Sequence, residues 1–171
     1  MNLAYIRTLW EEMRHVTGIT LRAIDAVPAD KIDVRPIANM RTPKELVCHM
    51  AETMRSCAIG TTTGKVVTDE NAEKGHGINS RADLVRKMED AWKAADAAVR
   101  SLTEDKATAA VDTPWNFSPP AWVIIQIIFD EHLHHRGQLY AFLRALDVEP
   151  PFLWDFENSA PEFRPKQEQQ V

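Results

Sequence analysis

Residues 121–146 read AWVIIQIIFDEHLHHRGQLYAFLRAL. Ile124, Ile128, Glu131, His135, Phe142 and Leu146 recur at steps of three, four and seven. That period belongs to one side of an α-helix, on which each residue turns by about 100°. With Glu131 at zero, Ile124 and Phe142 fall near 20°, His135 near 40°, and Ile128 and Leu146 near 60°. Gln138 falls near −20°, and the opposite side carries Gln126, Asp130, Gly137 and Arg144. The stripe therefore predicts a core-facing surface centred close to Glu131 and His135. Ser118-Pro119-Pro120 precedes it, a cap residue followed by prolines suited to a first helical turn. From Ser118 to about Leu146 the helix is ~43 Å long.

Three more helices are legible upstream. The first runs from about Asn2 to Val27 and stops before Pro28, with Leu3, Ile6, Trp10, Met13, Thr17, Leu21 and Ile24 on one side. Residues 28–41 hold two prolines and no period, a loop. The second helix opens at Thr42-Pro43-Lys44-Glu45, which has the cap, the first-turn proline and the acid of a capping box. It is expected to stop at Gly60. Residues 61–79 read as a long loop in which Val66-Val67 suits a short strand. The third helix starts near Ser80, and Leu84, Met88, Trp92, Ala95, Val99 and Leu102 form its stripe. Residues 103–117 read as a further loop. Four long helices with long connections predict an all-α four-helix bundle. A single domain over residues 1–164 follows, with a frayed polar tail at 165–171. The aromatic segment 149–156, EPPFLWDF, is expected to pack back across one bundle end.

Composition narrows the function classes. The chain has 171 residues, net charge −5 and 6 glycines. No basic run suggests a nucleic-acid partner, and no glycine-rich phosphate loop is present. The most apolar stretch, 121–129, is far short of the ~20 residues that span a bilayer. Two cysteines, Cys48 and Cys57, without a CxxC pair fit a reducing compartment and a structural role. A cytoplasmic protein without a secretory leader is expected. Trp10, Trp92 and Trp122 read as core. His15 suits a surface ion pair with Glu11 or Glu12, and His76 suits an exposed loop. Arg136 suits an anion or an interhelical ion pair.

The chemistry concentrates on the fourth helix. A carboxylate and an imidazole at i and i+4 on a buried stripe need a partner, because burying a charge unpaired costs several kcal/mol. Glu131 and His135 can converge on one metal ion, and bundles build such sites from inward side chains of different helices. His132 and His134 lie on the two flanks of the stripe. His49 sits at the edge of the apolar side of the second helix and offers a third ligand. His49, Glu131 and His135 would hold Zn, Ni, Fe or Mn as a divalent ion with positions left open. The other reading is a hydrogen-bonded polar network in a non-enzymatic, dimeric, stress-related or binding bundle.

The run His134-His135-Arg136-Gly137-Gln138-Leu139-Tyr140, then Phe142-Leu143-Arg144 and Pro150-Pro151, resembles the DinB/YfiT-like superfamily. Trp115 and Ser118-Pro119 fit the same pattern. The resemblance implies an antiparallel four-helix bundle with a divalent metal on three histidines, one on the second helix and two at i and i+4 on the fourth. His49 and His135 match two of those positions. At the remaining one this chain has Glu131, which still offers a ligand oxygen but adds negative charge and weakens polarisation of a bound thiol or water. The same departure leaves open a bundle that holds no metal. The resemblance further implies a thiol S-transferase or hydrolase acting on small molecules, a low-molecular-weight thiol as co-substrate, and a homodimer.

Overall fold

A computed structural model describes residues 3–155. Six α-helices are present among them: α1 (Leu3–Ala26), α2 (Pro43–Thr63), α3 (Glu70–Glu73), α4 (Arg81–Arg100), α5 (Glu104–Thr108) and α6 (Ala121–Ala145). A single 3-10 turn at Ala29–Lys31 follows α1. The expected start at Asn2 and the tail at 165–171 lie outside the described residues.

The long helices α1, α2, α4 and α6 make the bundle. α2 packs on α4 and α6, and α1 packs on the same two. Cross-helix contacts give their directions. Trp10 pairs with Asp96 and Asp25 with Arg81, so α1 and α4 are antiparallel. Tyr5 meets Gln126 and Thr20 meets His132, so α1 and α6 are parallel. Lys44 Nζ donates to Ile78 O before α4 begins, and Lys106 Nζ donates to Thr62 O after α4 ends, so α2 and α4 are parallel. His49 meets His135 while the end of α2 lies beside the start of α6, which makes that pair antiparallel. In chain order the bundle runs up, down, down, up. Two consecutive helices pointing the same way need a return connection of roughly 30 Å, the length of α2. Residues 64–80 supply it, which explains a long segment between α2 and α4.

The helix boundaries have local causes. Thr42 Oγ1 accepts from Glu45 N at 3.1 Å, and Glu45 Oε2 accepts from Thr42 N at 2.8 Å, closing the capping box. Ser80 Oγ accepts from Asp83 N and caps α4. Gly60 does not end α2. The helix continues to Thr63 and closes on Gly64 at φ +86°, the left-handed conformation that glycine adopts without penalty. Gly60 serves packing instead, since a Cβ there would stand 2.7 Å from Val66 Cγ2. Ser118 is not the cap of α6. Its hydroxyl donates to Asp112 Oδ1, and Pro120 occupies the cap position. Val66-Val67 forms no strand; only an isolated bridge between Lys65 and Asp112 ties this stretch to the 109–120 connection. The loops expected at 61–79 and 103–117 contain the short helices α3 and α5.

All seven residues expected on the inner side of α1 are buried, as is the full stripe from Leu84 to Leu102. Trp10 and Trp92 stack at 5.3 Å between ring centres. Burial of this apolar set drives the fold at about 25 cal/mol per Å² of surface removed from water. The segment after α6 returns across the bundle end through polar contacts. Tyr140 Oη donates to Pro151 O, and Arg22 pairs with Asp155 at 2.8 Å. Phe152 and Trp154 remain largely exposed. No described helix is long and apolar enough to cross a membrane.

Candidate metal centre

α2 and α6 bring His49, Glu131 and His135 together. One ligand atom from each lies within 4.8 Å of the other two. His49 Nε2 and His135 Nε2 are 3.1 Å apart. Glu131 Oε2 stands 3.1 Å from His135 Nε2, across one helical turn. Donors on one tetrahedral ion with bonds of ~2.0–2.1 Å stand about 3.3 Å apart, so the two 3.1 Å spacings fit a shared cation.

The far nitrogen of each ring is committed. His49 Nδ1 lies 2.7 Å from Glu73 Oε1, the last residue of α3. A carboxylate only accepts, so His49 carries its proton on Nδ1 and presents a bare lone pair at Nε2. His135 Nδ1 lies 2.9 Å from Gln138 Oε1, and Gln138 Nε2 lies 3.0 Å from His134 Nε2. With the Gln138 carbonyl accepting from His135 and its amide donating to His134, His135 also turns a lone pair inward. Two imidazole lone pairs and a carboxylate then face one point. Three acceptors in such proximity repel unless a proton or a metal cation lies among them. Burial pushes the His135 imidazole below its ordinary range, partly offset by the Gln138 hydrogen bond. Doubly protonating that ring is therefore disfavoured, and the two imidazole nitrogens and one carboxylate oxygen are a donor set that could hold a metal cation.

The inner surface of α6 is rotated from the sequence expectation. Its buried residues run from Ile124 and Phe142, near 20°, to Ile125 and Leu143, near 120°, and their common direction lies about 70° from Glu131. Glu131 is therefore not at the centre of the buried stripe. Its side chain is 45% exposed and forms the open side of the group, while that of His135 is 7% exposed. The partial exposure lowers the cost of keeping the carboxylate ionised. Ile128 and Leu139 lie at the centre, and His132, about 30° beyond it, is 3% exposed. Its Nε2 lies 2.9 Å from Thr20 Oγ1, and that hydroxyl donates to Val16 O. His132 hence donates from Nε2, and its Nδ1 has no hydrogen-bond partner. Burial holds this imidazole neutral, its pKa lowered to about 3. The signal for His132 lay in Ile125, Leu139 and Leu143, which share its direction. His134 is exposed, meets the His135 ring edge-on at 4.9 Å between ring centres, and hydrogen-bonds Gln138.

Glu73 is the functional neighbour that the sequence did not disclose. It lies in an aperiodic stretch, and only the return path of residues 64–80 sets it against His49. Beside the group, Met50, Thr53, Met54, Ile128, Glu131, His132 and His135 line a cavity of about 10 Å³, about the size that one water needs. Cys48 and Cys57 are buried and unbridged, and burial pushes their thiols up to about 11 and about 12. Neither forms a thiolate near neutral pH, which excludes them as nucleophiles. His76 is exposed, Trp122 is partly buried against the core, and burial lowers the pKa of Arg136.

Comparison with known proteins places the chain. The DinB family model matches residues 1–167. No curated protein matches. Among solved structures, a DinB-like protein from Bacillus subtilis is 18% identical, with a TM-score of 0.69 over 86% of this chain and 96% of its own. A DinB-like protein from Bacillus cereus is 16% identical, with a TM-score of 0.69 over 84% and 94%. At these identities the likeness is one of fold.

Proposed function

The chain belongs to the DinB family, and from that premise we propose that it binds one divalent transition-metal ion through His49, Glu131 and His135 and acts on a small molecule, as a thiol S-transferase or a hydrolase. The observation that carries this reading is the 3.1 Å approach of two imidazole nitrogens whose own protons are held elsewhere. Two nitrogens and one oxygen suit Zn, Ni, Fe or Mn. Bound there, such an ion supplies Lewis acidity that lowers the pKa of a coordinated water or thiol.

The chain's own groups define the rest. Glu73 and Gln138 fix the ring orientations of His49 and His135. Outer hydrogen bonds of this kind hold the tautomer that ligates. Glu131 is the least covered of the three, so a small molecule approaches from its side. The adjoining cavity, about 10 Å³, is the size of a water and too small for a substrate. With Cys48 and Cys57 buried and protonated, a reacting thiol must arrive from solution as a low-molecular-weight co-substrate. Glu131 also adds a negative charge beside the ion, which favours a milder Lewis acid than three histidines give. A homodimer with two-fold symmetry is the assembly we propose.

The test compares chelator-stripped with Zn²⁺-reloaded protein, using a panel of small thiols and an electrophilic acceptor. The proposal expects transfer or hydrolysis that disappears on stripping and returns on reloading. The second reading, a non-enzymatic bundle, draws on the 3.1 Å His135–Glu131 contact, which a shared proton can also occupy. Tag-free protein with no transition metal at any loading concentration would favour it.

A further inference from the structure

We infer that Glu73 is a positioning residue through which metal occupancy and closure of residues 67–74 become one equilibrium. The inference rests on the proposed metal site and adds a moving part to it.

The segment is held by polar contacts. α3 is one turn long, buries no residue and packs against α2. Val66 is 3% exposed and anchors one end, its N–H donating to Asp112 O. Gly75, at φ +75°, anchors the other end, lying so close that a Cβ would be 3.2 Å from Cys48 Sγ and Lys44 Cγ. Between these anchors Val67 is 66% exposed. Asp69 N donates to Glu52 Oε1 at 3.1 Å, and Asp69 Oδ1 accepts from Asn71 N and Ala72 N. A further side-chain tie to α2 is Glu73 Oε1 on His49 Nδ1 at 2.7 Å.

A stretch with so little apolar burial opens at small free-energy cost. Closing it places a carboxylate against the outer nitrogen of His49. That contact fixes the Nδ1–H tautomer and aims Nε2 at His135. A cation on Nε2 favours the same tautomer and the same ring orientation. Each event thus stabilises the other, and the coupling is reciprocal. Glu131 and Gln138 cannot serve this role, since both lie on the rigid α6 beside His135. The up-down-down-up order makes the device available, because the return connection has to pass over His49.

The experiment is hydrogen–deuterium exchange on the full chain, with and without Zn²⁺, for wild type, Glu73→Gln and Glu73→Ala, alongside zinc affinity by chelator competition. In wild type, zinc should slow exchange of the amides of residues 69–74 at least several-fold, with less change in the core of α4. Glu73→Ala should still bind zinc, roughly 10–100-fold more weakly as expected for loss of an outer partner, and should lose that protection. Glu73→Gln keeps an acceptor for Nδ1–H and should recover part of both. Zinc binding in wild type with unchanged exchange at 69–74 would overturn the coupling and leave the metal site standing. Full protection in zinc-loaded Glu73→Ala would do the same. A wild type that binds no zinc would overturn the metal site, and this inference with it.

Discussion

His49 Nε2 and His135 Nε2 point at each other across 3.1 Å, one from α2 and one from α6, with their Nδ1 protons held by Glu73 and Gln138. Neither helix alone could build the contact. The antiparallel packing of α2 on α6 sets it, and the half-exposed carboxylate of Glu131 completes it.

Substitution at 131 should grade the site. Glu131→His exchanges an anionic ligand for a neutral one, so zinc retention should equal or exceed wild type and a bound water or thiol should ionise at lower pH. Glu131→Gln offers a poor neutral ligand and should hold zinc more weakly than wild type. Chelator resistance of the three proteins, measured side by side, checks the order.

The fold was largely legible. Every residue named on the inner sides of α1 and α4 is buried, because period and burial agree there. α6 was harder. Its stripe contains polar residues, and a centre close to Glu131 and His135 leaves out Ile125, Leu139 and Leu143, which pull the buried side toward His132. Gly60 misled as a stop because a glycine tolerated inside a helix looks the same in sequence as one that ends it. Glu73 had no local signature, since its partner is set by the course of residues 64–80 over α2.

His132 gives stability a pH dependence. Its folded pKa, about 3, is depressed from the ordinary 6.5, so below 6.5 the unfolded chain binds a proton that the folded chain refuses. Stability is fully present above 6.5 and falls as pH drops toward 3, by up to about 1.4 kcal/mol per pH unit from this group. Denaturant unfolding between pH 4 and 7 should show a shallower slope for His132→Leu than for wild type. Equal slopes would assign the acid sensitivity to other groups.

Three glycines should respond differently to alanine. At Gly60 the new Cβ meets Val66 side chain and backbone, so a loss of about 1–3 kcal/mol is expected. At Gly64 nothing crowds the Cβ, but φ +86° costs about 1–2 kcal/mol. Gly137 lies inside α6, exposed, with nothing within 4 Å of a Cβ, so alanine should stabilise by roughly 0.5–1 kcal/mol. Chemical denaturation of the three variants checks the signs.

Thr42→Ala removes the acceptor for Glu45 N and breaks the capping box that starts α2 about two turns before His49. The expected cost is about 1 kcal/mol. Zinc affinity should change little, because α2 is held against α4 and α6 along its length. Thermal melts and chelator competition on the same preparation separate the two effects.

The central claim is that His49, Glu131 and His135 share one metal ion. The most direct measurement is zinc titration of tag-free protein against a chromophoric chelator, for wild type and for the His49→Ala and His135→Ala variants. The account predicts one equivalent of tightly held zinc in wild type. It predicts a loss in each variant larger than the ~10–100-fold that removal of an outer partner causes. Zinc bound equally well by wild type and by both variants, or by none of the three, would contradict it.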